Sequence, residues 1–212
     1  MTNLIKILLK RYKRYFKYIV SYFIYERPKG LDFSMRGKSK VSHESNNGYA
    51  LTSREAILNI LHDLPITSED SFIDIGSGKG GVICFIFEKP FKKITGIECE
   101  KWLHDIAMEN IKQLKLSNRV CSLQADARYF DNYHEYNYFF MFNPFSNEIY
   151  SEVVNKIVKS FEKNKINDKW LICYGSANIE AVQKTGYFEL FRSETCPHRL
   201  NDINIFKSIN HS

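Results

Sequence analysis

The sequence predicts an α/β fold in which helices cover a seven-stranded, mostly parallel sheet that ends in an antiparallel strand pair. Two observations carry this prediction. From residue 71 onward, short apolar runs rich in β-branched and aromatic residues alternate with longer segments of helical periodicity. The first apolar run, residues 72–75, leads into a glycine-rich turn at residues 76–81 and then into a predicted helix. In parallel sheets built from such units, ligands bind at the carboxyl ends of the strands.

The elements follow in chain order. A first helix is expected from Thr52 or Ser53, either of which can cap it, to about Leu64. Strand–helix units come next, and right-handed crossovers place their helices on both faces of the sheet. The predicted strands lie near residues 71–75, 93–98, 119–124, 136–142, 168–174, 187–193 and 202–208, the last two forming the antiparallel pair. The predicted helices between them lie near residues 79–89, 101–116, 146–163 and 177–184.

Composition indicates one globular domain with a substantial core, since the chain has 212 residues of which 44% are hydrophobic. The five cysteines show neither paired nor metal-like spacing. An odd number of cysteines without a secretory signal predicts reduced, buried thiols and a cytoplasmic protein. The histidines also lack ligand spacing, so no metal site is predicted.

The positive charge is concentrated at the N-terminus. Residues 1–29 carry eight Lys or Arg and one Glu, whereas the remaining residues are close to neutral, so binding to duplex DNA is not expected. Helical spacing of apolar residues predicts one amphipathic helix over residues 2–25, with no run long enough to span a bilayer. Three interpretations remain open: a helix packed on the domain, peripheral association with a membrane surface, or contact with an acidic partner.

Glycine, proline and a Ser/Asn cluster predict a loop between Glu26 and Gly48. A long irregular segment of this kind is commonly functional, so the segment is a candidate substrate lid. We therefore divide the chain into a basic helix at 1–29, a loop at 30–48 and a ligand-binding domain at 49–212.

The glycine turn indicates a cofactor, and Asp74 discriminates between two candidates. The pattern Gly76-x-Gly78-x-x-Gly81 also satisfies the dinucleotide fingerprint. A carboxylate at Asp74 would repel a pyrophosphate, but it would attract the ammonium group of S-adenosylmethionine. Glu98 ends the next apolar run 20 residues after Gly78, where a carboxylate can bind the hydroxyls of a ribose. The Gly-Lys-Ser/Thr ending of a P-loop is absent.

Four motifs occur in order: the segment from Asp74 to Gly80, Gly96-Ile97-Glu98, Gln124-Ala-Asp126-Ala127 and Phe142-Asn-Pro-Phe145. Together they resemble those of the class I S-adenosylmethionine-dependent methyltransferases, a Rossmann-like family, over roughly residues 47–207. The resemblance implies S-adenosylmethionine as cofactor and assigns a role to each motif. Its methionine and ribose end would contact Asp74, Gly76, Ser77, Gly78 and Glu98, and its adenine would contact Asp126 and Ala127.

The acceptor side is assigned to Asn143, Pro144 and Phe145. The Asn143 side-chain oxygen and the Pro144 carbonyl can accept hydrogen bonds from an amine and direct its lone pair, while Phe145 flanks it. The motif resembles Asp/Asn-Pro-Pro-Tyr/Phe of amino methyltransferases but lacks one proline, and it is more similar to that of non-SET lysine methyltransferases. Asn-Pro also commonly ends a strand without any catalytic role.

The segment from Tyr49 to Thr52 resembles the Tyr-x-Pro-Thr sequence of some lysine methyltransferases, with Ala50 and Leu51 between the matching ends and no proline. The resemblance implies that Tyr49 and Thr52 contact the methionine end of the cofactor; a plain helix cap is the alternative. The sequence thus predicts transfer of a methyl group to an amine, either a protein lysine or a small molecule. Two alternatives remain: an O- or small-molecule methyltransferase acting at a membrane or on an envelope precursor, and a binding protein without catalysis.

Overall fold

The structure, a computed structural model, describes residues 16, 19–34, 49–163, 168–175, 179–196 and 201–209. A seven-stranded sheet with strand order β3-β2-β1-β4-β5-β7-β6 organises these residues. The strands are β1 (Ser71–Ile75), β2 (Lys93–Glu98), β3 (Val120–Gln124), β4 (Tyr138–Phe142), β5 (Trp170–Tyr174), β6 (Phe188–Cys196) and β7 (Asn201–Ser208). The first five pair in parallel, and β7 runs antiparallel between β5 and β6. The predicted mixed sheet and its C-terminal antiparallel pair are confirmed.

The helices beside this sheet are α1 (Arg54–Ile60), α2 (Gly81–Phe85), α3 (Lys101–Gln113), α4 (Asn147–Ser160) and α5 (Ile179–Gln183). Both faces of the central strands are buried, as expected for parallel strands covered on two sides. Along β4, for example, Phe140 packs with Phe72 in the core beneath α1 and α2, whereas Phe139 packs with Ile73 in the core beneath α4. The alternation places successive side chains in opposite cores.

Several predicted elements are shorter in the structure, and local chemistry explains where they end. Helix α2 begins at Gly81 because Gly80 is left-handed, and it ends at Phe85, shortly before Pro90. Helix α3 ends at Gln113 because Lys115 adopts a left-handed conformation, with φ of 57°. Strand β4 begins at residue 138, because residues 133–135 form a 3₁₀ turn ahead of it.

The N-terminal segment differs from the predicted loop over residues 26–34. Phe16 and residues 19–21 are helical, Tyr22–Glu26 forms a π-helix, and Arg27–Lys29 forms a 3₁₀ turn. The Glu26 carboxylate is buried and accepts hydrogen bonds from the backbone N–H groups of Phe33 and Ser34, at 2.7 and 2.8 Å. These hydrogen bonds join the two ends of the stretch from residue 26 to residue 34 to each other. The rest of the predicted helix and lid, residues 1–15, 17, 18 and 35–48, lies outside the described residues.

Candidate functional site

The glycine turn follows β1 and lies at the carboxyl ends of the parallel strands. Gly76, Gly78 and Gly80 have φ values of 81°, 54° and 75°, a region that favours glycine. The N–H groups of Gly76 and Ser77 both donate to the carbonyl of Ile97, at 2.9 and 3.0 Å, which ties the turn to the neighbouring strand β2. The tight turn predicted from the sequence is therefore present.

Two buried carboxyl groups lie beside the turn. Asp74 is 3% exposed, and burial together with the nearby Glu98 raises its pKa well above the ordinary value. The Glu98 carboxylate accepts hydrogen bonds from the N–H groups of Gly78, at 2.8 Å, and Glu100, at 2.9 Å. Burial raises the pKa of Glu98, and these two hydrogen bonds oppose that rise. Because Glu98 Oε2 can accept a second hydrogen bond, it retains capacity for a ribose hydroxyl.

The turn also contacts two other predicted site residues. A Cβ atom added at Gly76 would lie 2.7 Å from Pro144 Cβ, and one added at Gly78 would lie 2.5 Å from the ring of Tyr49. Glycine is therefore needed at both positions for close packing as well as for backbone conformation. The sequence led us to expect that the bare backbone would admit a ligand; in the structure, protein side chains occupy the space that these two Cβ atoms would take.

The Asn143-Pro144-Phe145 segment leaves the end of β4, the strand adjacent to β1. Asn143 has φ of 44°, one of two left-handed residues other than glycine among those described. Asparagine tolerates this conformation better than most residues. Gly175 leaves room for the Asn143 side chain, because a Cβ atom at residue 175 would lie only 3.0 Å from Asn143 Cβ. The sequence did not indicate that Tyr174, at the end of β5, stacks on Phe142 with ring centroids 4.5 Å apart.

A small cavity, partly open to solvent, lies beside the ends of β2 and β3. The loop after β3 contributes Asp126 and Ala127, and Phe145 and Ile149 form an apolar wall. The Asp126 carboxylate accepts hydrogen bonds from the backbone N–H of Arg128 at 2.9 Å and from its Nη2 at 2.7 Å. Arg128, which the sequence did not single out, therefore fixes the carboxylate that was expected to bind adenine.

Tyr49 packs against the turn at Gly78, and Thr52 follows three residues later in the chain. The Tyr49 hydroxyl donates to the carbonyl of Phe33 at 2.6 Å, and Thr52 is buried. Of the two predicted caps for helix α1, Ser53 is the one that caps it, with its hydroxyl accepting from the Ala56 N–H at 3.2 Å. Thr52 therefore does not serve as the cap, and its role at the cofactor stays a prediction.

The sequence missed a polar cluster behind the turn, formed by Asp32, Lys79 and Asn110. Lys79 is 1% exposed, and its Nζ lies 2.7 Å from both carboxylate oxygens of Asp32. The only signal in the sequence was a lysine within the glycine turn. Because the P-loop pattern is absent, the sequence suggested no phosphate for this lysine and no other partner. Asp32 lies 47 residues earlier in the chain, so spacing could not have paired them.

The residues present fit S-adenosylmethionine. Among the described residues, Ser77 Oγ is a buried polar atom without a hydrogen-bond partner, and it lies against Gly96 of β2, two residues before Glu98. The apolar cavity at Asp126 suits a planar base, Glu98 lies between that cavity and the turn, and Asp74 suits an ammonium group. The cofactor would therefore extend along the strand ends from β3 to β4.

Other expectations concern metals, membranes and thiols. The described residues contain no cluster of three or more His, Cys, Asp or Glu side chains that could bind a metal ion. Within the same part of the chain, every helix is too short or too polar to cross a membrane. Cys84, Cys99, Cys121 and Cys173 are free thiols, and burial raises the pKa of Cys84 and Cys173 to about 12, as expected for inert core cysteines.

Comparison with known sequences gives one family match. The family described as "Histone methylation protein DOT1" matches residues 36–130, just under half of the chain. This region contains the glycine turn, Glu98 and Asp126, and it ends before Asn143. No curated protein matches the sequence.

Many solved structures share the fold. An RNA methyltransferase from Salinibacter ruber in complex with S-adenosyl-L-homocysteine has a TM-score of 0.57 at 14% identity, covering 77% of this chain and 98% of its own. A SAM-dependent methyltransferase from Aquifex aeolicus has a TM-score of 0.56 at 14% identity, covering 72% and 89%. A precorrin-6y C5,15-methyltransferase from Geobacter metallireducens has a TM-score of 0.59 at 16% identity, covering 76% and 90%. At these identities the likeness establishes the fold, and the two acceptors that these descriptions name, RNA and a precorrin, differ.

Proposed function

We propose that this protein, a class I S-adenosylmethionine-dependent methyltransferase, transfers the methyl group to an amine, with a protein lysine as the favoured acceptor. The observation that carries the proposal is the conformation of Asn143. This residue is held left-handed at the end of β4, and the neighbouring Pro144 packs against Gly76 of the glycine turn. The acceptor motif is thereby in contact with the turn assigned to the cofactor.

The chemistry of the segment suits an amine. S-Adenosylmethionine, when bound, supplies a methyl group activated by its sulfonium. The Asn143 side-chain oxygen and the Pro144 carbonyl are hydrogen-bond acceptors, so they can hold the N–H groups of a neutral amine and leave its lone pair directed at the methyl carbon. Phe145 lines the cavity at Asp126, so it can exclude water from the cofactor beside that amine. The new N–C bond forms as the S–C bond breaks, and the nitrogen then loses its extra proton.

Lysine is favoured over other amines by the family match, whose printed description is a histone methylation protein. Support from this match is limited to the cofactor half of the site, since the matched region stops at residue 130. The acceptor itself therefore rests on the Asn143 segment, and its test must address that segment directly.

The test replaces Asn143 with glycine, which removes the amide while keeping a residue that adopts positive φ without strain. With tritiated S-adenosylmethionine and total cellular protein as the acceptor mixture, we expect acid-stable methyl-lysine from the wild type. Its formation should fall about 10- to 100-fold in Asn143→Gly, the equivalent of one or two hydrogen bonds. The dissociation constant of the cofactor should change by less than about twofold, since the amide is assigned to the acceptor.

Lys115→Gly is the matched control, because Lys115 is the other left-handed residue besides glycine in the described part of the chain and lies at the exposed end of α3. It should leave transfer unchanged. Methyl groups released by mild alkali would indicate ester formation and contradict an amine acceptor. Methyl-lysine formation that survives Asn143→Gly would contradict the role of Asn143.

A second candidate is supported by exposed apolar side chains on the N-terminal segment. Phe23, Ile24 and Tyr25 are 50%, 58% and 64% exposed, in a part of the sequence rich in Lys and Arg. This combination favours an acceptor at a membrane surface, such as an amine or hydroxyl of an envelope precursor. A methylated hydroxyl is an ether and survives alkali as methyl-lysine does, so chemical identification of the labelled product separates a hydroxyl acceptor from an amine. Binding of the protein to lipid vesicles tests the membrane contact.

A further inference from the structure

The glycine turn is fastened to the N-terminal segment by a buried ion pair. Lys79 lies within the turn, between Gly78 and Gly80, and its side chain is 1% exposed. Its Nζ contacts both oxygens of the Asp32 carboxylate at 2.7 Å, a bidentate arrangement. The Asp32 side chain is 30% exposed, so the pair lies at the boundary between the core and solvent.

Asn110 of helix α3 joins the two partners. Its side-chain oxygen accepts from the Asp32 N–H at 2.9 Å, and its amide nitrogen lies 3.0 Å from the carbonyl oxygens of Asp32 and Lys79. Asn110 is 1% exposed. The backbone of the segment at Asp32 and the backbone of the turn at Lys79 are therefore fixed to the same side chain.

Tyr49 connects this cluster to the ligand side of the turn. Its hydroxyl donates to the carbonyl of Phe33, the residue after Asp32, at 2.6 Å. Its ring packs against Gly78 and lies 5.6 Å from Lys79 Nζ, within cation–π distance. The position of the Tyr49 ring thus depends on the same segment that the ion pair holds in place.

We propose that Asp32 and Lys79 are positioning residues that hold Tyr49 against Gly78 and so determine the affinity for the methionine end of the cofactor. The adenine cavity is lined from the ends of β2 and β3 and from Gly76, and neither Gly78 nor Tyr49 is among its lining residues. We therefore expect a perturbation at Tyr49 to weaken the binding of the amino-acid portion of the ligand more than that of the adenosine portion. The inference uses the cofactor of the proposed function and is independent of the acceptor.

The experiment compares two ligands on the full chain. S-Adenosylhomocysteine carries the amino-acid portion, and 5′-methylthioadenosine lacks it. In Lys79→Met, which keeps an unbranched apolar stem in the core, we expect the dissociation constant of S-adenosylhomocysteine to rise about tenfold. That of 5′-methylthioadenosine should stay within about twofold. Asp32→Asn should show the same selective loss. Lys184→Met is the matched control, because it removes an exposed Lys–Glu pair of the same 2.7 Å length and should affect neither ligand.

A double substitution tests whether Tyr49 transmits the effect. Tyr49→Phe removes the hydroxyl that reaches Phe33, so Lys79→Met should cost less in that background than in the wild type. An equal loss for both ligands would show a general loosening of the fold and overturn the proposal. Unchanged affinity for S-adenosylhomocysteine, or losses that multiply in the double variant, would also overturn it. None of these outcomes depends on whether the acceptor is an amine, so a failure here is distinct from a failure of the proposed function.

Discussion

At the scale of single residues, Asp74 carries a testable proton linkage. Its carboxyl is buried beside a second buried acid, Glu98, and its pKa is raised well above the ordinary value. An ammonium group bound next to it would favour the ionised form and lower that pKa. Cofactor binding should therefore release a proton, and affinity should increase as the pH rises through the pKa that Asp74 has in the free enzyme.

Calorimetric titration at a series of pH values, each in two buffers with different ionisation enthalpies, measures this release directly. S-Adenosylmethionine should give apparent enthalpies that differ between the buffers, whereas 5′-methylthioadenosine, which has no ammonium group, should not. In Asp74→Asn the difference should disappear and affinity should fall. Equal apparent enthalpies in the two buffers at every pH tested would contradict the assignment of Asp74 to the ammonium group.

At the scale of elements, the site depends on contact between the turn after β1 and the segment after β4. In Gly76→Ala the new Cβ would lie 2.7 Å from Pro144 Cβ, at a residue with φ of 81°. Gly186 provides a matched control, since it has φ of 70° and no atom within 4 Å of an added Cβ. Gly186→Ala should therefore lower the free energy of unfolding only by the strain of a left-handed alanine, about 1 kcal/mol.

We expect Gly76→Ala to lower the free energy of unfolding by about 1–3 kcal/mol more than Gly186→Ala, because Pro144 must also move. It should weaken both cofactor binding and methyl transfer, whereas Gly186→Ala should retain both at a temperature where each variant is folded. Urea unfolding and cofactor titration measure the two effects. If the two variants lost equal stability, the turn and the Pro144 segment would not be in the contact described.

At the scale of the whole molecule, the sequence predicted the sheet well because its central strands, such as β4 and β5, are nearly continuous buried apolar runs. Strands β1 and β2 were predicted to the residue. The motifs that contain Gly76 and Pro144 were predicted at the carboxyl ends of strands, and in the structure these two residues are in contact there. Contacts between distant, polar residues were not predictable. Glu26 and Asp32 look like solvated loop residues in the sequence, yet one is buried among backbone donors and the other pairs with buried Lys79. Local patterns report burial of apolar residues; they do not report which charge a fold brings to which partner.

The surface of the whole molecule includes an N-terminal segment on which exposed apolar and basic side chains lie next to each other. Phe23, Ile24 and Tyr25 are consecutive and exposed, and exposed Arg27 and Lys29 follow them. Apolar side chains that enter a lipid interface and cations that contact anionic head groups act together, each cation contributing about 1 kcal/mol. The full chain should therefore bind vesicles containing phosphatidylglycerol more tightly than vesicles of phosphatidylcholine, and added salt should weaken that binding.

Replacing Phe23, Ile24 and Tyr25 together with serine should reduce binding to the anionic vesicles about tenfold or more in a sedimentation assay, because each substitution removes apolar area from the lipid contact. Replacing Met108, Leu114 and Leu190 with serine is the control, since these side chains are 45%, 37% and 45% exposed but lie on α3 or just beyond its end and on β6. The control should bind like the wild type. Equal losses of vesicle binding in both triple variants would indicate nonspecific adhesion of apolar surface. Equal binding of the wild type to the two kinds of vesicle would show that electrostatic attraction does not contribute. Either result would instead favour the interpretation that the N-terminal segment is a helix packed on the domain.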